Sequence, residues 1–194
     1  KQNIKRVSYL ISMGCLLSAL AWREKRIFQD RVKKTPIQND PVFIIGHWRS
    51  GTTHLHNLLI QNTHFTYVRN YQSIFAPCFL LPRVRKFSHR LDNIVKLDTR
   101  PMDNIPFGTQ EPWEDEFILT ALIGISPLIR VMFPRYYAQK GYKYNDAETA
   151  YAKSIWQKKF KYLLQRLTFL ENKQILLKSP THTARINGIL KSFV

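Results

Sequence analysis

Apolar residues run almost unbroken from Val7 to Trp22 (VSYLISMGCLLSALAW), with Lys5 and Arg6 before them and Arg23, Lys25 and Arg26 after. The run predicts one helix over residues 1–32. A helix that crosses a bilayer needs about 20 apolar residues, so this one is short. Ala19-Leu20-Ala21 matches a signal-cleavage site only loosely. Two readings stay open: an interfacial helix whose basic rim holds an anionic membrane surface, or a helix packed on the domain that follows. A polar linker, Lys33 to Asp40 with Pro36, leads into Pro41-Val-Phe-Ile-Ile45. That β-branched run between Pro and Gly predicts a buried strand. Gly46 to Ser50 reads as a loop, and from Thr52 to Asn62 a helical period returns, with Leu55, Leu58 and Leu59 on one face.

The middle of the chain is less regular. Tyr71 to Arg90 is rich in aromatics and prolines, which predicts short helices and turns. Pro112 opens another helix, with Glu111 before it, Glu114, Asp115 and Glu116 in its first turn, and Phe117, Leu119, Ala121 and Leu122 beyond. Asn145 and Asp146 are caps for a long helix running to about Leu170. A second strand follows at Gln174 to Leu177, then Lys178, then Ser179-Pro180, a cap with proline at the first position of a last helix. Strands separated by helices predict an α/β fold with a parallel sheet, one domain over residues 41–194. The chain opens on Lys1 and stops at Val194 inside a helical pattern, so it reads as a fragment, incomplete at its C-terminus.

Composition changes the picture in two ways. A chain of 194 residues with 44% hydrophobic and 13% aromatic content can bury a core, which excludes a disordered protein. Lys and Arg number 30 against 13 Asp and Glu, and the resulting +17 attracts polyanions: nucleotide, nucleic acid or anionic lipid. Nucleic acid is set aside, because no zinc-finger spacing, RNA-binding aromatic motif or Arg-rich run accompanies the charge. Cys15 and Cys78 sit in apolar stretches without a C-x-x-C spacing, so both read as buried free thiols. A reducing, cytoplasmic setting fits them.

Between the first strand and its helix lies Gly46-His-Trp-Arg-Ser-Gly-Thr-Thr53. A P-loop reads G-x-x-x-x-G-K-[ST]; both glycines have that separation, and Thr52 stands where the lysine would. Glycine permits a tight turn, so the N–H groups of Ser50 to Thr53 can face an anion, and the following helix adds the positive end of its dipole. In nucleoside triphosphatases the lysine reaches the terminal phosphates and the next hydroxyl holds magnesium. Here the cation is Arg49, inside the loop, which suits a terminal group held by hydrogen bonds with no metal. The duller alternative is a glycine turn before a core helix. His54 and His56 are two apart on the predicted helix and face different directions, so with His47 they offer no metal-ligand spacing.

R-S-G-T-T after a hydrophobic strand resembles the 5′-phosphosulfate loop of sulfotransferases, with Arg49 where cytosolic members usually carry lysine. It is most similar to a large, mostly bacterial group with P-R-S-G-T-T or W-R-S-G-T-T loops. Leu177-Lys178-Ser179-Pro180-Thr181-His182 resembles the K-S-P segment of that group. Arg100-Pro-Met-Asp103 and Glu111-Pro-Trp-Glu-Asp-Glu-Phe117 resemble an acidic segment of it. The resemblance runs from about Pro41 to Val194. It implies a three-layer parallel sheet related to P-loop nucleotide kinases, truncated here. It also implies metal-independent transfer of a sulfuryl group from 3′-phosphoadenosine 5′-phosphosulfate to a hydroxyl or amine. The family's Arg and Ser for the 3′-phosphate are expected beyond Val194.

By the same resemblance His47, Trp48, Arg49, Ser50, Gly51, Thr52 and Thr53 surround the co-substrate, and Arg49 also acts in catalysis. Lys178, at the carboxyl end of a strand, is a second cation, since ligands of open α/β sheets bind outside those ends. For the base that takes the acceptor proton, Glu114, Glu116, Glu111 and His182 all stand as candidates. Acids in a first helical turn also complement the dipole, and His182 reads equally well as a polar residue of the last helix. The basic apolar N-terminal helix and the aromatic middle lead to a lipid or other amphiphilic acceptor. The partners expected are therefore the nucleotide, that acceptor and an anionic membrane surface, with a peripheral cytoplasmic location and no nucleic acid. Two rivals remain: a P-loop-type phosphotransferase or kinase, which Thr52 argues against, and a non-catalytic anion- or membrane-binding module.

Overall fold

The computed structural model describes residues 2–37, 39–94, 99, 106–124, 126–135 and 150–190. The expected caps at Asn145 and Asp146 and the segment Arg100–Asp103 lie outside the described residues. Three strands form one parallel sheet in the order β1-β3-β2: β1 is Val42–Ile44, β2 is Phe65–Tyr67 and β3 is Gln174–Lys178. The sequence led to β1 and β3 only. β2 is three residues long with a threonine at its centre, so it carries no apolar run. β3 pairs on both sides, and its Ile175, Leu176 and Leu177 are all buried, as a central parallel strand requires.

Alternation along β3 separates two helical layers. Ile175 and Leu177 join Phe160, Leu163, Leu164 and Leu167 in the main core. Those four belong to a long helix, Ala150–Leu170, called α7 in the sequence α1 (Gln2–Lys34), α2 (Thr52–Leu59), α3 (Asn70–Ile74), α4 (Pro82–Ile94), α5 (Asp115–Ile123), α6 (Pro127–Met132), α7 and α8 (Ile186–Leu190). Leu176 and Lys178 point to the other face, and α2 contacts β1 and β3. The Lys178 charge acts there on His56 of α2, so the layers run α2, sheet, α7.

The apolar face expected of α2 is reversed. Leu55 and Leu58 are about half exposed, whereas His56 is buried, with its ring edge-on to Tyr67 of β2 at 6.0 Å. Likewise Pro112 does not start a helix. It bridges Arg69 in antiparallel fashion, Trp113 N–H donates to Val68 O, and α5 begins at Asp115 with Glu114 as its N-cap. Ser179 does not cap by its side chain, which bonds Thr181 Oγ1 at 2.9 Å; a 3₁₀ helix, Pro180–Arg185, follows before α8.

One half of α1 is docked on the domain and the other is exposed. Its C-terminal half is docked: Val32 is fully buried, and Leu17, Leu20 and Phe28 pack around Cys78, Leu81 and Val84. Glu24 reaches through the core to Arg166 of α7 at 2.6 Å. Its N-terminal half leaves Ile4, Val7, Tyr9, Leu10, Ile11 and Leu16 exposed. Residues Ile4–Lys34 form a helix long and apolar enough to cross a membrane. Cys15 lies on this exposed half, contrary to expectation, while Cys78 is buried and its thiol is pushed up to about 11, chiefly by burial.

Candidate functional site

The loop after β1 is an open turn, not a stretch of core. Gly51 has φ +81°, a conformation glycine adopts freely, and Arg49 has φ +66°, which a side chain makes costly. These two left-handed residues fold the chain back so that α2 starts at Thr52. The first helical bond runs from Leu55 N–H to Gly51 O. The amides of Gly51, Thr52, Thr53 and His54 therefore have no backbone acceptor among the described residues, and they share the positive pole of α2. Ser50 departs from expectation. Its N–H and its hydroxyl both turn back to His47 O, at 3.3 and 2.6 Å, so its amide is engaged within the loop. Arg49, His47 and Trp48 are exposed around the opening.

Lys178 ends β3 directly opposite Ile44, so it stands beside this loop at the carboxyl end of the sheet. Its ammonium donates to Glu114 Oε1 at 2.5 Å. Burial pushes the His56 ring down to about 4, and the neighbouring Lys178 charge adds to the push. His56 is thus neutral near pH 7.

The three consecutive acids at the start of α5 have three different partners in residues 178–185. Glu114 takes Lys178, Asp115 takes His182 Nε2 at 2.7 Å, and Glu116 takes Arg185 at 2.7 Å. Glu116 also accepts from Ser126 Oγ at 2.6 Å and Thr181 Oγ1 at 3.2 Å. Both its carboxylate oxygens are engaged, and it has no exposed surface. His182 is enclosed in the same way. It is fully buried, paired with Asp115 and set edge-on to Phe43. Burial works against its charged form, but the charge and hydrogen bond of Asp115, with the charge of Glu116, together outweigh this and raise its pKa. Glu114 keeps a side chain that is 21% exposed and lies beside Lys178. Glu111 is half-buried, and its main chain pairs with Asn70.

The loop with Arg49 and the amides of 51–54 thus follows β1 at the same end of the sheet as the Lys178–Glu114 pair, and Glu116 and His182 are enclosed. Asp115, Arg185 and Thr183 join the site's frame without having been singled out from sequence. Only the closeness of Arg185 and Thr183 to Lys178 in the chain marked them.

The sulfotransferase family model matches residues 41–193 of the chain. Over 178 residues, 91% of this chain and 45% of the relative, it is 34% identical to the omega-hydroxy-beta-dihydromenaquinone-9 sulfotransferase Stf3 of Mycobacterium bovis. The same figures hold for Stf3 of Mycobacterium tuberculosis. The chain thus spans about half the length of the curated relatives it matches. Among solved structures it resembles sulfotransferase STF9 from Mycobacterium avium, with a TM-score of 0.55 and 22% identity over 87% of this chain and 44% of that one. That likeness shows the fold. A P-loop-like α/β sheet, a glycine loop of this form and a family match over most of the chain lead to one statement: the chain belongs to the sulfotransferase family.

Proposed function

We propose that the protein transfers a sulfuryl group from 3′-phosphoadenosine 5′-phosphosulfate to a hydroxyl or amine of a lipid or other amphiphilic acceptor. The observation that carries this reading is the set of open amides at 51–54, next to Arg49 in the chain and at the end of the sheet where Lys178 emerges. Such donors match the oxygens of a phosphosulfate, whose charge shifts onto the bridging oxygen as the S–O bond breaks. In the proposed step Glu114 takes the acceptor proton, the acceptor oxygen or nitrogen bonds to sulfur, and adenosine 3′,5′-bisphosphate leaves. Arg49 and the amides of Gly51, Thr52 and Thr53 hold the phosphosulfate, and Lys178 neutralises the leaving oxygen. A phosphotransferase is disfavoured by Thr52 at the lysine position.

Titration of a version extended past Val194 with adenosine 3′,5′-bisphosphate tests the site. Arg49→Ala is expected to weaken binding about 10- to 100-fold, the worth of a charge-assisted contact of roughly 1.5–3 kcal/mol. A protein that ignores the nucleotide and binds only anionic vesicles would instead be a non-catalytic module.

A lipid acceptor is supported by the name of the Stf3 relatives, which act on a dihydromenaquinone derivative, and by the exposed half of α1. Apolar side chains there face several directions, and Lys5, Arg6, Arg23, Lys25 and Arg26 flank them. We place this half at an anionic membrane surface, at the periphery of the cytoplasmic side. Flotation with phosphatidylglycerol vesicles should carry the protein upward, and Leu10→Glu combined with Leu16→Glu should leave most of it at the bottom. Equal flotation of both proteins would refute the placement.

A further inference from the structure

Residues 178–185 face two parts of the site at once. Toward α5 they supply Lys178, His182 and Arg185 to three consecutive acids. Toward the glycine loop they send the hydroxyl of Thr183. The reason lies in the strand register, which runs Val42–Leu176, Phe43–Leu177 and Ile44–Lys178. Continued by two residues, it would set Gly46 opposite Pro180. Proline has no N–H to give a ladder, and the chain turns there into the 3₁₀ helix. Both main-chain polar groups of Gly46 must find other partners. Thr183 serves both: Gly46 N–H donates to Thr183 Oγ1 at 3.1 Å, and that hydroxyl donates back to Gly46 O at 3.1 Å.

A Cβ at Gly46 would lie 2.6 Å from Thr52 Cγ2 and 2.9 Å from Ser50 Oγ. The side chains of Ser50 and of the first residue of α2, where the open amides begin, thus close over this position.

We propose that Thr183 is a positioning residue whose hydroxyl latches the first glycine of the loop to the segment carrying Lys178. The latch fixes the spacing between the amides of 51–54 and the Lys178–Glu114 pair. Its consequence for the nucleotide rests on the phosphosulfate reading, whereas its mechanical half does not.

Two variants test it. Thr183→Val keeps the shape and removes both hydrogen bonds, and Thr183→Ser keeps the hydroxyl. Thr183 is exposed, so both variants should melt within about 2 °C of the wild type. In the ligand-free protein, amide hydrogen exchange at Gly46 should be about tenfold faster in Thr183→Val and near the wild-type rate in Thr183→Ser. In turnover, the nucleotide KM should rise about tenfold in Thr183→Val with kcat changed less than about threefold, and Thr183→Ser should stay within about twofold of the wild type. Unchanged Gly46 exchange in Thr183→Val overturns the latch, and so does a serine variant as impaired as the valine one. If the wild type binds no nucleotide while Gly46 exchange still follows the hydroxyl, the latch stands and the phosphosulfate reading falls.

Discussion

Arg166→Met should lower the unfolding free energy by about 3–5 kcal/mol, the cost of stranding a buried charge. Arg166 has 2% of its side chain exposed and donates to Glu24 at 2.6 Å and to Ala76 O at 2.7 Å. Its guanidinium also lies 3.8 Å from the centre of the Phe79 ring. Glu24 in turn accepts from Leu80 N–H at 2.7 Å. Burial outweighs the partner's charge on both sides, raising the Glu24 carboxyl and lowering the Arg166 guanidinium. The pair is therefore expensive relative to an apolar one, though breaking it is worse. Urea unfolding checks this in three proteins. Glu24→Leu and Arg166→Met should each be strongly destabilised, and the double variant should recover most of the loss. Additive losses in the double variant would show that the two side chains act independently.

The largest expected effect on activity is at Lys178. Lys178→Ala should lower kcat by about 10²–10³, the usual cost of losing one preorganised donor to a developing negative charge. Lys178 is only 5% exposed, so its ammonium acts where water screens little. Removing it also leaves Glu114 without its cation, so Glu114→Gln and Lys178→Ala should be far from additive. A second readout does not depend on turnover. The His56 ring is held down to about 4 by burial and then by Lys178, so its NMR titration should move up in Lys178→Ala. Wild-type kcat in Lys178→Ala would remove this residue from the proposed chemistry, and an unmoved His56 would contradict its position.

The parts of this site that were legible in sequence are those encoded locally. β1, the glycine loop and the start of α2 follow one another in the chain, and each is set by its own residues: a β-branched run, two glycines, a double threonine. Lys178 was legible because β3 is an apolar run that ends on it. What could not be read depends on distant partners. Glu114, Asp115 and Glu116 look alike as acids near a helix start, yet their fates diverge on contacts 64, 67 and 69 residues away. Only the folded chain separates one half-open carboxylate from two sealed ones. Leu55 and Leu58 were misjudged for a related reason. Helical spacing says which residues share a face, but the side of α2 that meets the sheet is decided by the direction in which the loop releases it. That direction depends on left-handed Arg49 and Gly51.

The three pairs at the start of α5 also restrict how this chain can vary in length. Adding or deleting one residue within Glu114–Glu116 would turn the rest of α5 by about 100°. The acids beyond the change would then miss their bases, and Glu116 would lose Ser126 and Thr181 as well. One residue added in this short stretch should do the damage of several substitutions.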